Sequence, residues 1–298
     1  MSSNIIKFLR FLRQIQDYEF RNLLNFFMSK RLINLKADRN FYPQGTSITD
    51  STRYSSYLTL CVLASKNQKI FSKFRSYKVI VEVLDHVTYK QGKEYLKAIN
   101  KFGGWNKQYG ELIEKLDYYG GGKKFHYKNL GTFTPTMLRY LKVHLDLLNY
   151  FGTFAGLRIT EIGVGFGGQA AILGSLNRPY QYNLLDLPEV LKLAEKYLSI
   201  NTIDLNYVCI DGRNPIELTS DLVISNYGFS ELTRNIQSKY LDRVILKSRM
   251  GYITWNPLSE RDFNGYSIEE LLNLIPNSIA LYEEPNTYPG NRIITWKN

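Results

Sequence analysis

The chain has 298 residues, enough for one large or two ordinary domains at roughly 150 residues each, and with 44% of them hydrophobic it is not a disordered polymer. The net charge of +11 is uneven: residues 1–150 carry 25 Lys and Arg against 11 Asp and Glu, whereas residues 151–298 carry 13 against 16. Cys61 and Cys209 make neither a disulfide framework nor a metal spacing, and the absence of 18 consecutive uncharged apolar residues excludes a spanning helix.

In chain order, residues 3–35 read as a helix with an apolar stripe through Ile5, Phe8, Leu12, Ile15, Leu23 and Phe27, and with Lys7, Arg10, Arg13 and Arg21 off it. Such a stripe packs onto its own domain or a second copy in a homodimer; peripheral contact with an anionic membrane is the alternative. The charges interrupt it and no small-residue cleavage site follows, so a signal peptide is not expected and the chain is placed in the cytoplasm. Residues 36–56 are a loop by composition, 57–65 a short apolar helix or strand, and 72–87 and 90–100 helices before a break at Gly103-Gly104. Gly120-Gly-Gly122 leads into Lys123-Lys-Phe-His-Tyr-Lys128, a flexible basic and aromatic segment that reads as a lid, part of an acceptor site or a plain surface loop. Thr134-Pro135 starts a helix, with Thr as cap and Pro at the first position, that runs to about residue 150 and ends at Gly152. The domains are therefore drawn as a helical N-terminal region over 1–133, for acceptor binding or dimerisation, and an α/β domain over 134–298.

From residue 157 strands and helices alternate. Strands are expected at 159–162, 182–185, 207–210, 222–226, 252–255, 279–283 and 292–296, with helices at 167–175, 188–198, 233–246 and 267–274. This is a doubly wound, Rossmann-like, mostly parallel sheet. The short turn between the last two strands makes an antiparallel C-terminal hairpin.

The stretch Arg158-Ile-Thr-Glu-Ile-Gly-Val-Gly-Phe-Gly-Gly168 is a strand, a tight glycine turn and a helix start. Gly163, Gly165 and Gly167 or Gly168 let the backbone approach a ligand, and the free N–H groups of the helix point at it. Ligands in such sheets lie beyond the carboxyl ends of the strands. Those ends carry Glu161, Asp186-Leu187, Asp211-Gly212 and Asn226-Tyr227. Asp186 lies at the distance past the glycines where an acid takes ribose hydroxyls, and Asp211 can meet an adenine amino group. The glycine pattern alone fits NAD as well as S-adenosylmethionine. Glu161 favours the latter, because a carboxylate there tolerates a sulfonium and ammonium better than a pyrophosphate.

Taken together, Glu161-Ile-Gly-Val-Gly-Phe-Gly-Gly168, Tyr182-Asn-Leu-Leu-Asp-Leu-Pro-Glu-Val190, Asp221-Leu-Val-Ile-Ser-Asn-Tyr-Gly-Phe-Ser-Glu-Leu232, Gly251-Tyr-Ile-Thr-Trp-Asn256 and Phe133-Thr-Pro-Thr-Met-Leu-Arg-Tyr-Leu-Lys142 resemble the sugar O-methyltransferase family. The resemblance implies a class I, S-adenosylmethionine-dependent enzyme of polysaccharide or glycoconjugate biosynthesis, with a sugar, nucleotide sugar or glycan as acceptor. It also implies cofactor ribose binding by Asp186, as in small-molecule O-methyltransferases. Those enzymes often place a histidine base after the fourth strand; this chain has Ser230-Glu231 there. Glu231 is the first candidate base and His126 the second, with capping of the helix near Thr233 the structural alternative for Glu231. His86 and His144 read as packing residues. Glu283-Glu284 can meet sugar hydroxyls or a metal, but no spacing identifies a metal site, and divalent-metal dependence stays open. The alternatives are an NAD(P)-dependent oxidoreductase, an RNA methyltransferase using the basic half, although no stable nucleic-acid complex is expected, and a cofactor-free scaffold that uses the fold for assembly.

Overall fold

The computed structural model describes residues 55–298, which fall within a single compact unit. The basic helix expected over 3–35 and most of the loop over 36–56 lie outside the described residues. The order is α1 (Ser55–Lys66), α2 (Gln68–Phe71), a 3₁₀ turn (Phe74–Ser76), α3 (Lys78–Val83), α4 (Tyr89–Lys101), α5 (Lys107–Leu116), β1 (Phe125–Tyr127), β2 (Gly131–Phe133) and α6 (Pro135–Phe151). Then come β3 (Arg158–Ile162), α7 (Gly168–Asn177), β4 (Gln181–Asp186), α8 (Pro188–Ile200), β5 (Tyr207–Asp211) and β6 (Ser220–Asn226). The chain finishes with a 3₁₀ turn (Gly228–Glu231), α9 (Arg234–Tyr240) and its π-helical extension (Leu241–Ile245), β7 (Ser248–Trp255), α10 (Leu258–Phe263), α11 (Ile268–Leu274), β8 (Ile279–Tyr282) and β9 (Arg292–Lys297).

The main sheet has seven strands in the order β5-β4-β3-β6-β7-β9-β8. The first five are parallel, and β9 runs antiparallel between β7 and β8. Side chains alternate across it as the pleat requires. Ile159, Leu184, Leu222 and Tyr252 face one core with α1, α6, α7 and α8, while Leu185, Val223, Ile253 and Trp296 face the other with α9 and α11. The expected alternation and the C-terminal hairpin are both present.

The helical layer before α6 differs from the expected one. The helix expected over 72–87 is broken because Arg75 turns inward. Its guanidinium meets Asp85 Oδ2 at 2.8 Å and Asp117 Oδ1 at 2.7 Å, donates to Thr134 Oγ1 and lies 4.8 Å from the ring centre of Phe166 in the glycine turn. Thr134 is bound to Asp117 through both its N–H and its hydroxyl, so it is not the side-chain cap expected for α6. Gly120 and Gly122 pack on Arg75, where an added Cβ would come within 2.8 Å of that side chain. The triple glycine is thus a packing device, and the segment after it is a β1–β2 hairpin, not a flexible lid. α5, which the expected scheme left out, is capped by Asn106 accepting from the N–H of Tyr109.

Candidate functional site

The carboxyl ends of β3, β4 and β6 open into a cleft roofed by the segment after α3. Gly163 ends β3 with φ +78°, and a Cβ there would sit 2.9 Å from Cα of Gly228. Two backbones meet at that point with no side chain between them, which clears the floor of the cleft. The ion pair of Asp85 with Arg75 brings the roof down beside Leu84, whose side chain would meet a Cβ on Gly165 at 3.0 Å.

Of the residues singled out in the sequence, Glu161, Gly163, Gly165, Asp186, Leu187, Gly212, Asn226, Tyr227 and Glu231 line this cleft. Asp186 accepts from the N–H of Leu187 at 2.7 Å and from that of Gly165 at 3.1 Å, fixing the glycine turn. Burial pushes its carboxyl up to about 6 despite these backbone donors. Glu161 is 1% exposed and accepts from the Tyr182 hydroxyl at 2.7 Å. Burial raises its pKa to about 8, the Tyr182 hydrogen bond opposes this, and the charge of Asp186 adds to it. Its acid is therefore largely protonated at neutral pH.

Three of the residues are elsewhere. Gly167 is the left-handed residue preceding α7 and does not touch the cleft. Asp211 is exposed and caps its own turn by accepting from Arg213 N–H. His126 is exposed on β1, 3.4 Å from Thr132 Oγ1, because the hairpin turns it outward. His144 packs between Tyr109 and Phe154, as expected. His86 does not: it lines the cleft. Desolvation and repulsion by Arg139 hold its imidazole below the usual histidine range.

A second, polar pocket adjoins the cleft and shares His86, Tyr227 and Glu231 with it. Gln91, Asn256, Thr287 and Asn291 add amides and a hydroxyl to its lining, beside Glu82, Arg261 and Tyr288. Glu231 is half-buried in a 3₁₀ turn and accepts from Asn256 Nδ2 at 3.4 Å, so it is not the cap of α9. Burial raises its pKa to about 7, with Asn256 and Arg139 pulling the other way. Tyr227 adopts a left-handed conformation (φ +69°), which a bulky side chain rarely takes. Its N–H is held by the carbonyl of Thr254, and its hydroxyl by Glu283 and Thr287. Glu283 also accepts from Thr287 and Asn291, while Glu284 pairs with Lys101 at 2.9 Å. The pair thus stabilises the loop around the pocket. Among the described residues no group of three or more His, Cys, Asp or Glu is placed to hold a metal.

This strand order around a central glycine turn is a doubly wound, Rossmann-like sheet closed by an antiparallel C-terminal hairpin. No family model matches the chain, and no curated protein does. Among solved structures it is similar to a Thermoplasma acidophilum protein (15% identity, TM-score 0.41, 64% of this chain and 97% of that one). It is also similar to an O-methyltransferase family 2 protein from Planctomyces limnophilus in complex with apigenin (14%, 0.38, 51% and 52%). A third is a SAM-dependent methyltransferase from Aquifex aeolicus (16%, 0.39, 51% and 87%). Likeness this distant adds no weight; the fold rests on the strand order itself. Among the described residues no helix is long and apolar enough to cross a membrane.

Proposed function

We propose that the chain is an S-adenosylmethionine-dependent O-methyltransferase whose acceptor is a sugar hydroxyl in a polysaccharide or glycoconjugate. One observation carries this reading: Glu231 stands in the wall shared by the glycine-turn cleft and the polar pocket beside it. The residues fit the cofactor. Asp186 keeps lone pairs for ribose hydroxyls beside its bonds to backbone N–H groups, and Gly165, Leu187 and Gly212 give close backbone approach. When bound, S-adenosylmethionine supplies an electrophilic methyl group.

The chain's own residues do the rest. The polar pocket offers amides and hydroxyls that suit a polyol, and Asn291 Oδ1 is buried there without a partner. Held in line, an acceptor oxygen gains most of its acceleration from placement. Glu231 has its Oε1 on Asn256, which leaves Oε2 to take the hydroxyl proton. Its pKa near 7 suits that task at neutral pH and adds about 10²–10⁴-fold. His86 flanks the same wall as a neutral imidazole. We assign residues 1–133 to acceptor binding or dimerisation and 134–298 to the methyltransferase domain, which also lends Asn256, Thr287 and Asn291 to the acceptor pocket. Residues 57–133 share their core with the sheet, so within them this division is one of role.

The test is transfer of a labelled methyl group from S-adenosylmethionine to nucleotide sugars and oligosaccharides. Transfer to phenols with none to any sugar would overturn the acceptor assignment.

A further inference from the structure

α6 buries two cations beside the cleft. Lys142 is neutralised, with Nζ 2.6 Å from Asp146 Oδ2. Arg139 is not. It is 7% exposed, its Nη2 reaches the Leu84 carbonyl at a long 3.4 Å, the side chain it bonds is the neutral hydroxyl of Tyr140, its Nε has no partner, and among the described residues no acid forms an ion pair with it. The rings of Tyr140 and Tyr227, 5.4 and 5.8 Å from the guanidinium carbon, recover part of the cost of burying it. A buried cation without an anion remains unfavourable.

Two more polar atoms in this wall are buried without a well-formed hydrogen bond: the hydroxyl of Tyr95, which has only that of Tyr227 beside it, and Oδ1 of Asn226, whose Nδ2 is already on Gln169. Arg139 and Asn226 line both the cleft and a small pocket that continues from it to Tyr95. Arg139 and Tyr95 are donors, and Asn226 Oδ1 is an acceptor. An inorganic anion would leave the amide oxygen unmatched, and a water, which can serve both donors and acceptor, brings no negative charge to the guanidinium. An α-amino acid matches all of it, the carboxylate to the guanidinium and phenol, the ammonium to the amide oxygen.

We infer that Arg139, Tyr95 and Asn226 form the seat for the amino-acid end of the cofactor, with Arg139 receiving its carboxylate. This rests on the cofactor reading above. Tyr95 comes from α4, outside the main sheet, so the helical layer takes part in donor binding.

Calorimetry on the full chain with S-adenosylhomocysteine and with 5′-methylthioadenosine, which lacks the amino-acid end, tests it. The wild type binds S-adenosylhomocysteine at least tenfold more tightly. R139M loses at least tenfold for S-adenosylhomocysteine and less than twofold for methylthioadenosine, and its ligand-free Tm does not fall, because an uncompensated charge has been removed. Y95F, which deletes one hydroxyl and keeps the packing, loses several-fold for S-adenosylhomocysteine alone. Equal wild-type affinity for the two compounds, or equal losses for both in the variants, overturns the seat while leaving the cofactor reading standing. Binding of neither compound by the wild type overturns both.

Discussion

Replacing Glu161 with Gln tests whether the site holds a buried, protonated acid before any ligand enters. Burial moves its folded pKa from 4.5 to about 8. A carboxyl whose folded pKa is raised is more protonated in the folded than in the unfolded chain, so stability falls as pH rises from about 4.5 to about 8. At about 1.4 kcal/mol per unit, Glu161 removes roughly 3 kcal/mol between pH 5 and pH 8. Gln keeps an oxygen for the Tyr182 hydroxyl and cannot ionise. E161Q should therefore match the wild type near pH 5 and exceed it by roughly 3 kcal/mol at pH 8 in urea unfolding followed by circular dichroism. A stability difference that does not change with pH, or an E161Q protein weaker than the wild type at pH 8, would refute the reasoning.

Three further outcomes are expected. G163A puts a Cβ 2.9 Å from Cα of Gly228 and in a left-handed conformation; it should cost about 1–3 kcal/mol and abolish S-adenosylhomocysteine binding, read by thermal melting with and without ligand. R75L leaves Asp85 and Asp117 buried without their cation and should cost about 3–5 kcal/mol, read by urea unfolding at pH 7. With a pKa near 7 on Glu231, the transfer rate should rise about tenfold between pH 6 and pH 8. E231Q should flatten that profile and slow transfer by about 10²–10⁴-fold with donor affinity unchanged; a wild-type profile that is flat over this range would remove Glu231 as the base.

The α/β half was legible because its signals are local. Alternating apolar runs and the glycine turn after Ile162 mark strands and crossovers without knowledge of what packs on them. The order of acids at strand ends then placed Glu161 and Asp186 in the cleft. The helical layer was less legible because long-range charge shapes it. Arg75 meets Asp85, Asp117 and Thr134 across ten to about sixty residues, and no window of sequence displays that network. The same holds for His86, which entered the cleft wall only because Asp85 beside it is anchored. Arg139 escaped notice for a related reason: within α6 it reads as one more basic residue, and its meaning lies in an ion pair it does not make. α5 was readable from Asn106 and the spacing of Tyr109, Ile113 and Leu116, but the glycines on either side made the stretch look like loop.

Calorimetric titration of the full chain with S-adenosylhomocysteine and NAD in parallel tests the donor site most directly. The account predicts saturable binding of S-adenosylhomocysteine, no heat with NAD, and at least a tenfold loss, about 1.4 kcal/mol, in D186A. Binding of NAD with S-adenosylhomocysteine silent, or a D186A protein that binds as the wild type does, would contradict it.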